Sequence, residues 1–156
     1  MDNKYVKLHS ILRMLGALLA IIVFVSMFAT KMVIIEGHSD LFWDFRSGAF
    51  FGNDSYKGNV FGFIGYLFVL LGGLAGLAFV FIDELIGKDL TKTLSYVAGG
   101  VALAGALLVL FFAPMFILMN NLNHCTTAAE PIVFGIFGLC VGAINVFAPI
   151  LEEKGK

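Results

Sequence analysis

Four long apolar stretches constrain this chain more than any other feature of its sequence. They cover residues 14–30, 60–82, 94–119 and 131–151, and the last three contain no Asp, Glu, Lys, Arg or His. A helix that crosses a bilayer needs about 20 mostly apolar residues, because the hydrocarbon core is about 30 Å thick and each residue rises about 1.5 Å. Backbone groups in lipid must be hydrogen-bonded within the segment, so runs of this length predict helices.

The sequence therefore predicts an all-α integral membrane protein in which four transmembrane helices form an up-and-down bundle. We expect a single domain over residues 1–156, with helices at about 11–35, 60–82, 94–119 and 131–151 and outer loops at 36–59 and 120–130. Short connections make neighbouring helices antiparallel. The composition agrees, since 60% of the residues are hydrophobic and 13% are charged, whereas roughly 25% of a soluble domain is charged.

The distribution of basic residues predicts the orientation of the bundle, because loops on the cytoplasmic side carry an excess of Lys and Arg. Three basic residues fall on the side of the 36–59 loop, and seven fall on the side of the two termini. We therefore expect a cell-membrane protein with cytoplasmic N and C termini. The seven residues are Lys4, Lys7, Arg13, Lys88, Lys92, Lys154 and Lys156.

Two sequence similarities suggest that a helix pair is duplicated. The sequence Gly-Ala-Leu-Leu occurs at 16–19 and again at 105–108, and Val-Phe-Gly occurs at 60–62 and again at 133–135. A parallel repeat of this kind would relate the two halves by an axis along the membrane normal, as in some transporters. The alternative is chance similarity, because apolar segments use few residue types.

Small residues at four-residue spacing predict close contacts between helices. Such residues lie on one helix face and allow two backbones to approach each other, which is how helices associate in lipid. The contacts would lie within the bundle or, as the alternative, between two copies or with a partner. Asn145, an amide inside the fourth stretch, is predicted to form an interhelix hydrogen bond. The predicted packing glycines are Gly62, Gly72, Gly76, Gly138 and Gly142.

Charged residues and helix-end signals lie at the borders of the apolar stretches. Arg13 and Lys31 flank the first stretch, and their long side chains are expected to reach the two membrane interfaces. The later stretches lack an ionisable group of the kind that ion-coupled carriers usually keep at membrane depth. Asp89 is placed to cap the third helix, Pro131 suits the first position of the fourth, and Pro114 should kink the third.

The first outer loop is the most distinctive segment outside the helices. Between residues 42 and 51 it contains five large aromatic side chains. Alternation at residues 41–46 fits a short strand, although Gly48 and Gly52 favour turns. One interpretation is a surface that recognises a partner or lipid, and the other is a loop that folds onto the bundle or lies in the headgroup zone. The candidate interaction residues are Trp43, Asp44, Phe45 and Arg46.

Two known topologies resemble this arrangement of four spans with a larger first outer loop, those of the claudin-like and the tetraspanin-like proteins. The claudin pattern has a paired cysteine after its tryptophan, whereas the loop here contains no cysteine. The acidic residue of the small multidrug carriers is likewise missing from the first stretch. The resemblance therefore concerns topology alone and implies no shared activity.

These features predict a non-enzymatic membrane protein that acts as a scaffold, an assembly factor or an accessory subunit. It would use helix-face and outer-loop contacts with a membrane protein or a second copy, inside the lipid bilayer. No pattern indicates a catalytic site, a cofactor or a metal site, and a net charge of −1 gives no sign of a nucleic-acid partner. The alternative is a small transporter or pore for an apolar or small neutral solute.

Overall fold

Four long helices dominate the computed structural model, which describes residues 3–29, 31–35, 42–43, 49–52, 54, 56–123 and 125–154. In length and composition, each of the four could cross a membrane. The prediction of four such helices is confirmed. They are α1 (Asn3–Ser26), α2 (Val60–Ile86), α3 (Lys88–Met119) and α4 (Ala129–Lys154).

The helices pack as a closed group of four. α3 packs against α2 and α4, α1 also packs against α2 and α4, and α2 touches α4 across the bundle. Because consecutive helices run in opposite directions, the α1–α2 and α3–α4 connections lie together at one end of the bundle. We call this end the sheet end, and we call the opposite end, where the chain begins and finishes, the terminal end.

The first helix ends earlier than its apolar pattern indicates. The predicted helix at 11–35 is wrong in its last third, because α1 ends at Ser26 and residues 27–29 form a tight turn. The chain then enters a strand, β1 (Lys31–Ile35). The sequence of this strand includes Val33, Ile34 and Ile35, and β-branched residues favour an extended backbone where a partner strand is present.

A small antiparallel sheet covers the sheet end and joins the two outer connections. β1 lies in the middle, with β2 (Phe42–Trp43) on one side and β3 (Cys125–Thr127) on the other. Ile34 of β1 pairs with Thr126 of β3, and Lys31 pairs with Trp43. The connections predicted as loops at 36–59 and 120–130 therefore contain strands, and Lys31 is a strand residue rather than the end of a helix.

The helices extend beyond the apolar stretches, mostly at the terminal end and, for α4, also at the sheet end. α2 continues to Ile86, and only Gly87, with a φ of 84°, separates it from α3. Asp89 does not precede α3 as expected but lies in its first turn, and Gly87 occupies the cap position. Pro131 is in the third position of α4 rather than the first, because α4 begins at Ala129. Hydropathy detects only the apolar part of a helix, so these ends could not be located from it.

Two prolines lie inside helices, Pro114 in α3 and Pro149 in α4. Proline has no N–H, so the carbonyl four residues earlier loses its usual helical partner. The carbonyls concerned belong to Leu110 and Asn145. The kink expected at Pro114 stays a prediction, whereas the Asn145 carbonyl has a clear replacement donor, described below.

Candidate functional site

The four candidate interaction residues of the first outer loop fall at the margin of the described chain. Trp43 lies in β2, where its backbone pairs with Lys31 of the central strand. Asp44, Phe45 and Arg46 lie outside the described residues. The proposal that this group recognises a partner therefore stays a prediction, and the sheet provides a rigid attachment for its first member.

The second half of the same loop folds onto the bundle through Phe50. Its side chain is 1% exposed, and its ring stacks on Phe112 of α3 with centroids 4.7 Å apart and an angle of 4° between the planes. Phe63 and Tyr66 of α2 present their rings to it edge-on, at 5.9 and 6.0 Å. Residues 49–52, 54 and 56–59 thus close the space between α2 and α3 at the sheet end, and we call these residues the loop plug.

Backbone contacts hold the loop plug in one conformation. Gly52 has a φ of 79°, and a Cβ at Gly58 would lie 2.6 Å from the Phe50 carbonyl oxygen. A residue with a Cβ would be strained at the positive φ of Gly52, and no side chain fits at Gly58. The Asn59 N–H donates to the Ala49 carbonyl at 2.8 Å and ties the two ends of the segment together.

Asn120, at the end of α3, ties the loop plug to the second connection. The Lys57 N–H donates to Asn120 Oδ1 at 2.7 Å, and Asn120 Nδ2 donates to the Lys57 carbonyl at 3.0 Å. The same Nδ2 donates to the Phe116 carbonyl at 3.0 Å. One amide therefore satisfies backbone groups of the loop plug and of the last turn of α3, and it joins the loop plug to the start of the second connection.

Apolar side chains remain exposed on this surface. Phe51, next to the buried Phe50, is 62% exposed, and Ile34 of the central strand is 41% exposed. An exposed aromatic ring on an ordered backbone has already lost conformational freedom, which lowers the cost of binding another surface. Phe51 and Ile34 are thus apolar side chains of the sheet end that another surface can reach.

A cluster of polar groups joins three helices towards the terminal end, and we call it the Asn145 cluster. Asn145 Nδ2 of α4 donates to the Gly72 carbonyl of α2 at 2.9 Å. Its Oδ1 occupies the space in which a Cβ of Gly76 would lie. Ser95 Oγ of α3 donates to the Asn145 carbonyl at 2.8 Å. Asn145 thus forms hydrogen bonds with the adjacent α3 and, across the bundle, with α2.

Arg13 of α1 belongs to the same region and does not extend to the membrane interface as expected. It is 2% exposed, its Nη1 donates to the Gly76 carbonyl at 3.2 Å, and its Cζ lies 5.8 Å from the centre of the Phe79 ring. A guanidinium has several donors and a flat face, so it can bind a carbonyl and an aromatic ring at once. These two partners on α2 hold Arg13 inside the bundle.

The predicted packing glycines all lie against side chains or backbone of another helix. Added Cβ atoms would meet Phe112 at Gly62, Ala98 and Ala102 at Gly72, Asn145 at Gly76, Ala106 at Gly138 and Leu103 at Gly142. These small-residue positions are therefore occupied by contacts within one chain.

Close approaches between helix backbones also involve glycines outside the predicted set. A Cβ at Gly65 of α2 would lie 2.9 Å from the Gly105 carbonyl oxygen of α3, and a Cβ at Gly105 would lie 2.6 Å from the Gly65 carbonyl oxygen. Gly73 similarly faces Ala20 of α1. The signal was available for Gly65, because it precedes Gly72 by seven residues, about two turns of one helix.

Buried polar side chains are few in the described chain, and all of them bind backbone carbonyls. Six are buried: Arg13, Ser26, Asn59, Thr91, Ser95 and Asn145. Each donates a hydrogen bond to a backbone carbonyl. Among the described residues, no group of three His, Cys, Asp or Glu side chains could hold a metal ion.

Comparisons with protein-family models, with curated proteins and with solved structures found no match for this chain. Its function must therefore be inferred from its own geometry.

Proposed function

We propose that this chain is an integral membrane protein with both termini in the cytoplasm, acting as a scaffold, an assembly factor or an accessory subunit. In this proposal the four helices cross the bilayer and the sheet end faces outward. The protein is non-enzymatic, and it binds a membrane-protein partner or a second copy through its outer surface and its helix faces.

The use of the buried polar groups is the observation that carries this proposal. All six described polar side chains in the interior are engaged with backbone carbonyls, so each already has a structural task. Between Asn59 near the sheet end and Asn145 near the terminal end, the described core consists mainly of apolar side chains such as Val69, Ala106 and Val109, with the buried Tyr66 towards the sheet end. A path for a polar solute would need polar side chains throughout this length, whereas a dry core suits a rigid structural protein.

The order of the sheet end supports a role in contact. Strands from both connections, the stacked Phe50 and Phe112 rings and the Asn120 amide hold this surface in one shape. Exposed Phe51 and Ile34 then offer apolar area to a partner. Contact residues that are rigid before binding lose less entropy in the complex, so a small surface of this kind can still bind specifically.

Replacement of Trp43 tests the proposed recognition surface. The parent, Trp43→Ala and the control Tyr96→Ala, which removes an exposed aromatic ring near the terminal end, are purified in mild detergent. Thermal stability and co-purifying components are measured for each. We expect Trp43→Ala to keep its stability and lose its co-purifying components, while the control keeps both. A Trp43→Ala protein that keeps its stability and every component would contradict the proposal.

A small transporter is the second candidate, and prolines in two helices favour it. Pro114 and Pro149 lie in neighbouring helices, and broken backbone hydrogen bonds mark substrate paths in many carriers. Reconstitution into liposomes separates the two functions. The scaffold proposal predicts that small neutral solutes leak no faster than from protein-free liposomes, and saturable flux would favour transport.

A further inference from the structure

The last turn of α4 follows a break in the hydrogen bonding of that helix. Pro149 lies inside α4 and has no N–H, so it cannot donate to the Asn145 carbonyl four residues earlier. The proline ring also pushes that carbonyl away from the helix axis, which is why helices bend at prolines. Residues 150–154, which we call the α4 end segment, are thus attached to the rest of α4 by a weakened joint.

Ser95 of α3 supplies the hydrogen bond that Pro149 removes. Its Oγ donates to the Asn145 carbonyl at 2.8 Å, and the residue is fully buried. A buried carbonyl without a donor is unfavourable, and freed carbonyls in apolar helices are often satisfied by serine from a neighbouring helix. Because the replacement donor belongs to α3, the joint in α4 depends on an interaction with another helix.

The α4 end segment itself is joined to the same helix by an ion pair. Lys92 of α3 pairs with Glu153, and both side chains are partly exposed. Around this ion pair lies a small cleft, lined by Lys88, Asp89, Lys92, Pro149, Glu152 and Glu153. An exposed ion pair contributes little stability and is weakened by salt, so it can form and break readily.

We propose that the α4 end segment is a hinged element with its hinge at Pro149, in which Ser95 fixes the hinge by binding the Asn145 carbonyl and the Lys92–Glu153 ion pair holds the segment closed against α3. Release of both contacts frees the segment to move away from α3 and opens the cleft. The hinge is a property of this corner of the bundle and holds whether the protein is a scaffold or a transporter.

A double-mutant cycle tests the role of Ser95. Amide hydrogen exchange of the α4 end segment is measured by mass spectrometry for full-length protein in detergent. Ser95→Ala should accelerate exchange by roughly three- to tenfold, because the Asn145 carbonyl loses its donor. In a Pro149→Ala background the new N–H at position 149 binds that carbonyl, so Ser95→Ala should then change exchange by less than about twofold.

Ser26→Ala is the matched control, because this buried serine donates to Val23 within its own helix. Its effect on the α4 end segment should be the same, and small, in both backgrounds. If Ser95→Ala accelerates exchange equally in the parent and in the Pro149→Ala background, Ser95 does not replace the missing bond and the proposal is wrong. If it has no effect with Pro149 present, the proposal is also wrong.

The ion pair is tested separately, so that a poorly folded serine variant does not decide the matter. Lys92→Gln should accelerate exchange of the α4 end segment, and the charge exchange Lys92→Glu with Glu153→Lys should return it to the parent rate. Unchanged exchange in Lys92→Gln, or a charge exchange that fails to restore the parent rate, would show that the pair does not hold the segment closed.

Discussion

Removal of the Phe50 ring should destabilise the whole protein, because this one side chain joins the outer loop to two helices. Phe50→Ala deletes the stacked contact with Phe112 and the edge-on contacts with Phe63 and Tyr66. Truncation of a fully buried phenylalanine costs about 3–5 kcal/mol, including the cavity that remains. On the proposed topology the loop plug closes an end of the bundle that faces water, so the hydrophobic part of this cost applies here as it does in a soluble protein.

Phe51→Ala is a matched control, since it removes the same ring from the adjacent, exposed position. We expect it to cost about 1–2 kcal/mol, clearly less than Phe50→Ala, because most of the ring is exposed, although it contacts the Phe50 and Phe63 rings. The free energy of unfolding is measured by denaturant titration in detergent, with fluorescence of the only tryptophan, Trp43, as the signal. Similar small losses for both variants would show that the loop plug is not an integral part of the fold.

Three further predictions concern the helix contacts. The double variant Gly138→Leu with Gly142→Leu should lower the free energy of unfolding by several kcal/mol, because the added side chains would meet Ala106 and Leu103. The control Gly100→Leu should change it little, because nothing lies within 4 Å of that Cβ position. Equal thermal stability of the double variant and the control would refute this packing. Asn145→Leu, which has a similar shape, should cost about 1 kcal/mol through its lost hydrogen bond, and an unchanged unfolding midpoint would contradict the bond to Gly72. Gly76→Ala should destabilise the parent but be tolerated with Asn145→Ala, since its Cβ overlaps Asn145 Oδ1; additive losses in a double-mutant cycle would argue against that contact.

Much of the helical framework could be predicted from hydropathy, and the reason is physical. Apolar runs long enough to cross a bilayer have few alternatives to a helix. Hydropathy therefore predicts both ends of α4, and at least one end of α2 and of α3, to within a few residues. The end of α1 could not be located in this way. Residues 31–35 are apolar enough to continue a helix, and only the partner strands, one of them more than 90 residues later, make them a strand.

The Asn145 cluster shows where sequence reasoning stopped. Asn145 is recognisable from the sequence as a single amide in an apolar span. The spacing to Pro149 also identifies the Asn145 backbone carbonyl as unpaired within α4. Ser95 could not be assigned to that carbonyl, because nothing in the sequence states which helix faces it. Arg13 directly precedes the first apolar stretch, a position that is compatible both with the membrane interface and with the interior of the bundle.

The central claim is that the four helices cross a membrane with the sheet end outside, and cysteine labelling in intact cells tests it most directly. The native Cys125 and Cys140 are first replaced, and single cysteines are introduced at Asp54 in the first outer loop and at Lys88, the first residue of α3, both of which are exposed. A membrane-impermeant maleimide should label the cysteine at 54 in intact cells and the cysteine at 88 only after the membrane is opened. Labelling of the cysteine at 88 but not the one at 54 would reverse the orientation, and labelling of both or neither in intact cells would contradict the account of four crossings.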